Sequence, residues 1–219
     1  MNKLKIAVYT ICKNESQFVD RWLDSMQEAD MVVVADTGST DKTGEKLKAR
    51  GAAVYNITVN PWRFDVARNI SLNLVPGEVD VCVCTDLDEI LEPGWREKIE
   101  QVWTPPTTRL KYMYTWSFNP DGSRGVTFWY QKIHRRHGFR WVHPIHEILE
   151  YYGPDPDCYA EDATIQLNHY PDPTKSRGQY LPLLEMSVRE DPDDDRNMHY
   201  LGREYMFYRQ WDKCIETLK

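Results

Sequence analysis

Two carboxylates separated by one residue, Asp86 and Asp88, offer the most specific chemistry in this 219-residue chain. Side chains at i and i+2 of an extended backbone point the same way, so both acids can share one hard cation, Mg2+ or Mn2+. The triplet recurs as Asp155-Pro156-Asp157, Asp191-Pro192-Asp193 and Asp193-Asp194-Asp195, so its type alone decides little. Its position separates it, because only Asp86 and Asp88 follow directly on a strongly apolar run, residues 79–85. A turn that caps a helix is the bland alternative. Asp36-Thr37-Gly38-Ser39-Thr40-Asp41 reads equally well as a site loop and as a plain strand-to-helix turn. Arg68 is either a solvated helix charge or a contact to a diphosphate or base. Trp141-Val142-His143-Pro144-Ile145-His146-Glu147 places two histidines and a carboxylate beside aromatics. That set can hold a sugar, supply a base or complete a metal shell, and it can equally be the polar end of a strand. His169 is a ligand candidate whose alternative is a structural histidine. Trp116, Trp129 and Trp141 can stack on sugar faces or pack in a core.

These residues need elements to position them. Residues 4–12 form an apolar run rich in β-branched side chains, as a strand buried on both faces requires. Phe18, Val19, Trp22, Leu23 and Met26 then recur at helical spacing. Residues 31–35 repeat the strand signal, a short helix ends at Gly51, and 52–59 is a third strand. A helix around Val66–Leu74 leads through Pro76-Gly77 to a fourth strand at 79–85. This alternation predicts a doubly wound, largely parallel sheet, whose ligands sit beyond the carboxyl ends of the strands. Lys13, Asn14 and Glu15, the 36–41 loop, and Asp86, Asp88 and Glu89 all occupy that place. Beyond about residue 108, RLKYMYTWSF, the turn Asn119-Pro120-Asp121-Gly122 and GVTFWYQKIHR read as a β-hairpin. From Lys175 the period is helical again, broken by the corner at Asp191–Asp195.

Composition narrows the classes. With 41% hydrophobic and 28% charged residues the chain reads as an ordinary globular protein, one domain with a short appendage. A formal charge of −7 and a pI near 5.4 exclude the broad basic surface of a nucleic-acid binder. No apolar run reaches the ~18 residues of a membrane span, and the first residues lack a secretory signal, which predicts a cytoplasmic protein. The odd number of cysteines, five, reads as buried thiols in a reducing compartment. With no Walker A loop and no G-x-G-x-x-G run, ATP hydrolysis and dinucleotide binding lose their main support.

Four separated segments resemble the family 2 glycosyltransferases. They are Thr10-Ile11-Cys12-Lys13-Asn14-Glu15, then Val34-Ala35-Asp36-Thr37-Gly38-Ser39-Thr40-Asp41, then Ala67-Arg68-Asn69, then Thr85-Asp86-Leu87-Asp88-Glu89. The resemblance implies the GT-A fold, an α/β architecture with a mixed, mostly parallel sheet between helices and a short C-terminal helical extension. It implies a catalytic domain at 1–172, with a nucleotide-binding half at 1–90 and an acceptor half at 105–172, and a helical tail at 173–219. By the same resemblance Asn14, Glu15 and Asp36 contact the nucleoside and Arg68 contacts the base or diphosphate. The resemblance also has Asp86 and Asp88 bracket the metal; apart from it, His169 is a candidate third ligand, and Thr10, Ile11, Lys13, Ser39, Leu87 and His146 are further candidates for the donor site. Thr37 departs from the acidic residue often found there. His146-Glu147 resembles a pair in short members that carry helical repeats. Leu201-Gly202-Arg203-Glu204-Tyr205, followed by a helix start at Trp211, is similar to part of a tetratricopeptide repeat.

The implied reaction is metal-dependent, inverting transfer of a sugar from a nucleotide diphosphate donor, a UDP-sugar foremost, to an acceptor hydroxyl with Mn2+ or Mg2+ as cofactor. The acceptor is a glycan, a lipid-linked sugar or a protein. Glu147 is the candidate base, ahead of Asp162 and Glu161. Two rivals stand beside this reading. One is a nucleotidyltransferase, which the Lys13-Asn14-Glu15-Ser16 loop disfavours for want of glycine and arginine. The other is a non-catalytic nucleotide-binding or scaffold protein, against which the two intact aspartates speak.

Overall fold

Seven buried residues in a row, Ile6–Cys12, form strand β1, and the reason for their uniform apolarity is a partner on each side. A computed structural model describes residues 3–173, 175 and 177–219. In it β2 (Met31–Asp36) and β4 (Val81–Cys84) flank β1, both parallel to it, and β3 (Ala53–Asn56) lies parallel beyond β2. The connecting helices are α1 (Val19–Met26), α2 (Thr43–Ala49) and α3 (Phe64–Leu74). Helix α1 buries Val19, Trp22, Leu23 and Met26, the stripe its spacing predicts. Gly51 follows α2 at φ +88°, a left-handed position that glycine takes without strain.

The sheet continues through β5 (Glu89–Leu91), β6 (Arg109–Thr115), β7 (Thr127–Arg135) and β10 (Tyr159–His169). Its eight strands run in the order β3-β2-β1-β4-β7-β6-β10-β5. Strands β6 and β7 form the expected antiparallel hairpin, closed by a Phe118–Arg124 bridge and a turn in which Gly122 N–H donates to Asn119 O. Strand β10 runs parallel to β6 and antiparallel to β5. The result is the mixed, mostly parallel sheet flanked by helices of the GT-A fold. Helix α4 (Trp95–Val102) sends Trp95 and Ile99 into the core, and its first N–H groups are met from a distance. The Glu28 carboxylate accepts from Gly94 N–H (2.6 Å) and Arg96 N–H (2.9 Å), which satisfies donors a helix start leaves open. Strands β8 (Phe139–Val142) and β9 (Ile148–Tyr151) pair in a separate ribbon.

The chain divides into two units. The first comprises residues up to Thr58, Ala67–Arg140 and Leu149–Asp172 and contains the eight-stranded sheet. The second gathers Val59–Val66, Trp141–Ile148 and the chain from Pro173 onward. Its core is Ile145, Leu183, Leu184, Leu201 and Tyr205, with Trp62 and Phe64 packed against it. Helices α5 (Tyr180–Glu190) and α6 (Asp195–Phe207) supply most of that core, and α7 (Trp211–Thr217) adds only the partly buried Cys214. The acidic corner separates α5 from α6, and Asp194 caps α6 by accepting from Asn197 N–H at 2.9 Å. The second unit is therefore built from the helical tail together with two short pieces of earlier chain.

Candidate functional site

The four parallel strands β1 to β4 end at one edge of the sheet, and two polar loops meet there. After β1 the chain turns through Lys13, Asn14 and Glu15, with Asn14 at φ +54°, a region asparagine tolerates better than most residues. Asn14 N–H donates to Ser39 Oγ (3.0 Å), and its Oδ1 accepts from Thr40 N–H (2.7 Å). Glu15 N–H donates to Thr43 Oγ1 (2.7 Å) and Ser16 N–H to Asp41 (3.1 Å). These bonds knit the loops after β1 and β2 into one surface. Asp36 closes its own turn by accepting from Gly38 N–H (3.0 Å) and Ser39 N–H (2.7 Å). Thr37, where an acid was the family's expectation, donates through Oγ1 to Cys12 O at 3.0 Å and so ties the same two loops. Burial pushes the Asp41 carboxyl up, but hydrogen bonds from Thr43 and Ser16 prevail and hold it at about 2. Thr10 is fully buried, with its Oγ1 bonded to Ile11 O (3.1 Å), while Lys13 and Asn14 are exposed.

The second cluster follows β4. Arg68 reaches from α3 to Asp86, with Nη2 2.9 Å from Oδ1 and 3.2 Å from Oδ2. Lys132, pointing inward from β7, lies 3.7 Å from Asp86 and 3.0 Å from both oxygens of Glu89. Tyr114 OH donates to Glu89 Oε1 at 2.9 Å. Asp86 and Arg68, which the sequence assigns to separate tasks, are thus partners in this structure. Burial opposes the charge on Lys132, yet Glu89 and Asp86 outweigh it and hold the ammonium well above its usual range. Leu87 belongs to the hydrophobic core, so only its backbone can serve a ligand.

Asp88 takes a different partner. Strand β5 pairs with β10 so that His169 stands opposite Glu89, and Tyr170 N–H donates to Asp88 O at 2.8 Å. This register brings His169 Nε2 to 3.6 Å from Asp88 Oδ2, across 81 positions of chain. His169 Nδ1 faces the Trp116 carbonyl at 3.2 Å, an acceptor that places a ring proton on Nδ1. Nε2 faces Asp88, carrying a proton toward the carboxylate and able to turn its lone pair to a cation once that proton is lost. Burial lowers the His169 pKa, but the hydrogen bond and charge of Asp88 outweigh it, and the net direction is upward. An imidazole nitrogen and a carboxylate oxygen at this separation suit two adjacent ligands of one divalent cation. Orientation of the ring from its far nitrogen is the usual support for such a ligand. Among the described residues no group of three or more His, Cys, Asp or Glu forms a ready-made cage. That fits a cation whose remaining positions belong to water and phosphate oxygens, the usual habit of Mg2+.

The remaining candidates lie elsewhere. His146 and Glu147 belong to the second unit. Asp162 sits at an irregularity in β10, where its Oδ1 accepts from Thr164 N–H and Oγ1, both at 2.7 Å. Glu161 is ion-paired with Lys111 at 2.7 Å. Trp141 is buried, whereas Trp116 and Trp129 are exposed. Trp129 lines an open groove of about 400 Å³ with Lys111, Gln131 and Glu161, while Trp116 packs on His169 with ring centroids 4.7 Å apart. Sequence reasoning missed Lys132 and Tyr114. A register shift in β7 between Tyr130 and Ile133 interrupts the alternation there, so no periodic signal marked Lys132 as inward.

The model of the Glycosyl transferase family 2 matches residues 7–144. The lipopolysaccharide core biosynthesis glycosyltransferase LpsC of Rhizobium meliloti (strain 1021) is 24% identical over 131 residues, 56% of this chain and 48% of that protein. S. aureus TarS superposes on 93% of this chain and 44% of its own with a TM-score of 0.54 at 14% identity, a likeness of fold alone. Glucosyl-3-phosphoglycerate synthase from Mycobacterium tuberculosis, in complex with Mn2+ and uridine-diphosphate-glucose, is 26% identical over 51% of this chain and 44% of its own, with a TM-score of 0.43. The chain spans about half the length of the relatives it matches. Both polar clusters fall within the matched segment except for His169, and a match to well over half of the chain decides the family: this protein belongs to glycosyl transferase family 2.

Proposed function

We propose that this chain is a glycosyltransferase that moves a sugar from a nucleoside diphosphate, a UDP-sugar, to an acceptor hydroxyl, with Mn2+ or Mg2+ held at Asp88. The observation that carries the reading is the facing pair of Asp88 and His169 beside the strand-end loops of a family 2 fold. Bound there, the cation supplies Lewis-acid stabilisation for charge on the departing diphosphate. Asp88 and His169 would hold it, with Asp86 as a further ligand. Arg68 and Lys132 orient Asp86, and Arg68 contacts the base or diphosphate. Asn14, Glu15 and Asp36 meet the nucleoside, with Thr10, Ile11, Lys13, Ser39 and the backbone of Leu87 around them.

Glu147 takes the proton from the acceptor hydroxyl, and the sugar inverts. Asp162 serves less well, because one of its oxygens already accepts two hydrogen bonds. The acceptor is a glycan, a lipid-linked sugar or a protein. Helices α6 and α7 form a single tetratricopeptide-like pair, a reading supported by the helix onset at Trp211.

Calorimetry with UDP tests the core of this proposal. Binding that tightens at least tenfold with Mn2+ supports it, and no binding of any nucleoside diphosphate with or without metal sinks it. A screen of nucleotide sugars for Mn2+-dependent hydrolysis then names the donor. Turnover unchanged in Glu147→Gln would remove Glu147 as the base.

A further inference from the structure

The second unit holds a cluster of positive charge without a matching anion. Arg196, Tyr200 and Arg203 share one face of α6 by their helical spacing. The two guanidinium carbons lie 5.0 and 4.8 Å from the Tyr200 ring centroid. His146 stacks on that ring at 4.0 Å and meets Tyr180 edge-on at 5.8 Å. Arg177 lies over Tyr180 at 4.7 Å. Among the described residues, the one carboxylate ion-paired with any of these arginines is Glu204, 3.4 Å from Arg177. Arg196 directs one Nη to His146 O at 2.7 Å. Arg196 Nη1, Arg203 Nε and His146 Nε2 are shielded from solvent with no hydrogen-bond partner among the described residues.

Buried donors without acceptors are costly, and guanidinium groups crowded on one ring repel each other as well. Burial and then the three arginines press the His146 pKa down to about 4, a further measure of the unmatched positive field. We propose that Arg196, Arg203 and His146 form a binding site for a phosphoryl dianion, phosphate or diphosphate, with Arg177 at its rim. Guanidinium forks match phosphoryl oxygens bidentately. Three arginines offset by one glutamate leave two positive charges, which a dianion balances and a single carboxylate does not. The chemistry has two sources, the diphosphate of a nucleotide donor and the phosphate of a phosphorylated acceptor. None of its residues is among those assigned to the cation site at Asp88.

Calorimetry with pyrophosphate in EDTA, on the full chain, tests the proposal. The wild type binds, Asp88→Asn binds equally well, and Arg203→Gln weakens binding at least tenfold. Arg203→Lys, which keeps the charge and loses the fork, falls between. The Arg203 side chain makes no hydrogen bond among the described residues, so Arg203→Gln retains the fold, checked by an unchanged melting temperature. Displacement of pyrophosphate by UDP in Asp88→Asn assigns the site to the donor. Displacement by a hexose phosphate and not by UDP assigns it to the acceptor. A wild type that takes up no pyrophosphate overturns the proposal, as does Arg203→Gln binding with wild-type affinity. Loss of metal-dependent UDP binding in Asp88→Asn, with pyrophosphate binding intact, separates this site from the cation site.

Discussion

Lys132 keeps its charge where only 5% of its surface meets water, because Glu89 and Asp86 stand 3.0 and 3.7 Å away. Removing one member of a buried pair leaves the other uncompensated, which costs about 3–5 kcal/mol. Lys132→Met therefore lowers the unfolding free energy measured in urea by that much, and Lys132→Met/Glu89→Leu recovers most of the loss. Asp88→Asn keeps the fold and lowers Mn2+-dependent hydrolysis of the nucleotide sugar by roughly 100-fold or more, since losses of 10–100-fold follow even when only outer-shell partners of a metal are changed. At this scale the sequence was legible where polar residues stop an apolar run, as at Asp36 and Asp86. It was silent on partnership. Nothing in the spacing of Arg68 and Asp86 announces that they pair, and His169, named as a ligand candidate beside Asp88, reaches it only through a strand register that spacing does not give.

The elements show the same division. Strands β1, β2 and β4 were readable because each is a largely buried apolar run, and β3, mostly exposed, was readable from the β-branched residues in and just after it. Helix α4 was not, since its core stripe is only Trp95 and Ile99. Strand β10 escaped because polar residues alternate through its first half, and its place between β6 and β5 is a long-range choice. Helix α7 invites a sharper test. A Cβ on Gly202 of α6 would lie 2.5 Å from Leu218 Cγ, and α7 itself buries no side chain. With so little holding it, α7 gives way before α6 does. Gly202→Ala therefore raises amide exchange across 211–219 while changing global stability by under about 1 kcal/mol, because the helix-propensity gain of alanine offsets part of the strain. Gly202→Ala/Leu218→Ala restores the protection.

For the molecule as a whole, two buried histidines set a lower pH limit. Burial presses His134 down to about 3, and burial with nearby arginines presses His146 to about 4. Their folded pKa values lie below the ordinary 6.5, so the unfolded chain binds protons that the folded chain refuses. Stability is complete above about pH 6.5 and falls as pH drops toward these values. For fully buried His134 the loss reaches about 3 kcal/mol at pH 4, and chemical denaturation between pH 7 and pH 4 shows a smaller decline in His134→Gln than in wild type. The three buried thiols, Cys12, Cys82 and Cys84, are pushed up by burial, the last two to about 12 and about 11, so alkylating reagents reach none of them in the native state.

One feature of chain path reaches further than stability. Trp62, Phe64 and Ile145 pack with the α5–α7 helices although they come from the interior of the sequence. A chimaera that swaps the C-terminal helices between relatives at residue 172 would therefore mismatch a core assembled from three stretches of chain. Exchange works only when 59–66 and 141–148 travel with the tail, which makes the helices a poor unit for recombination by a single crossover.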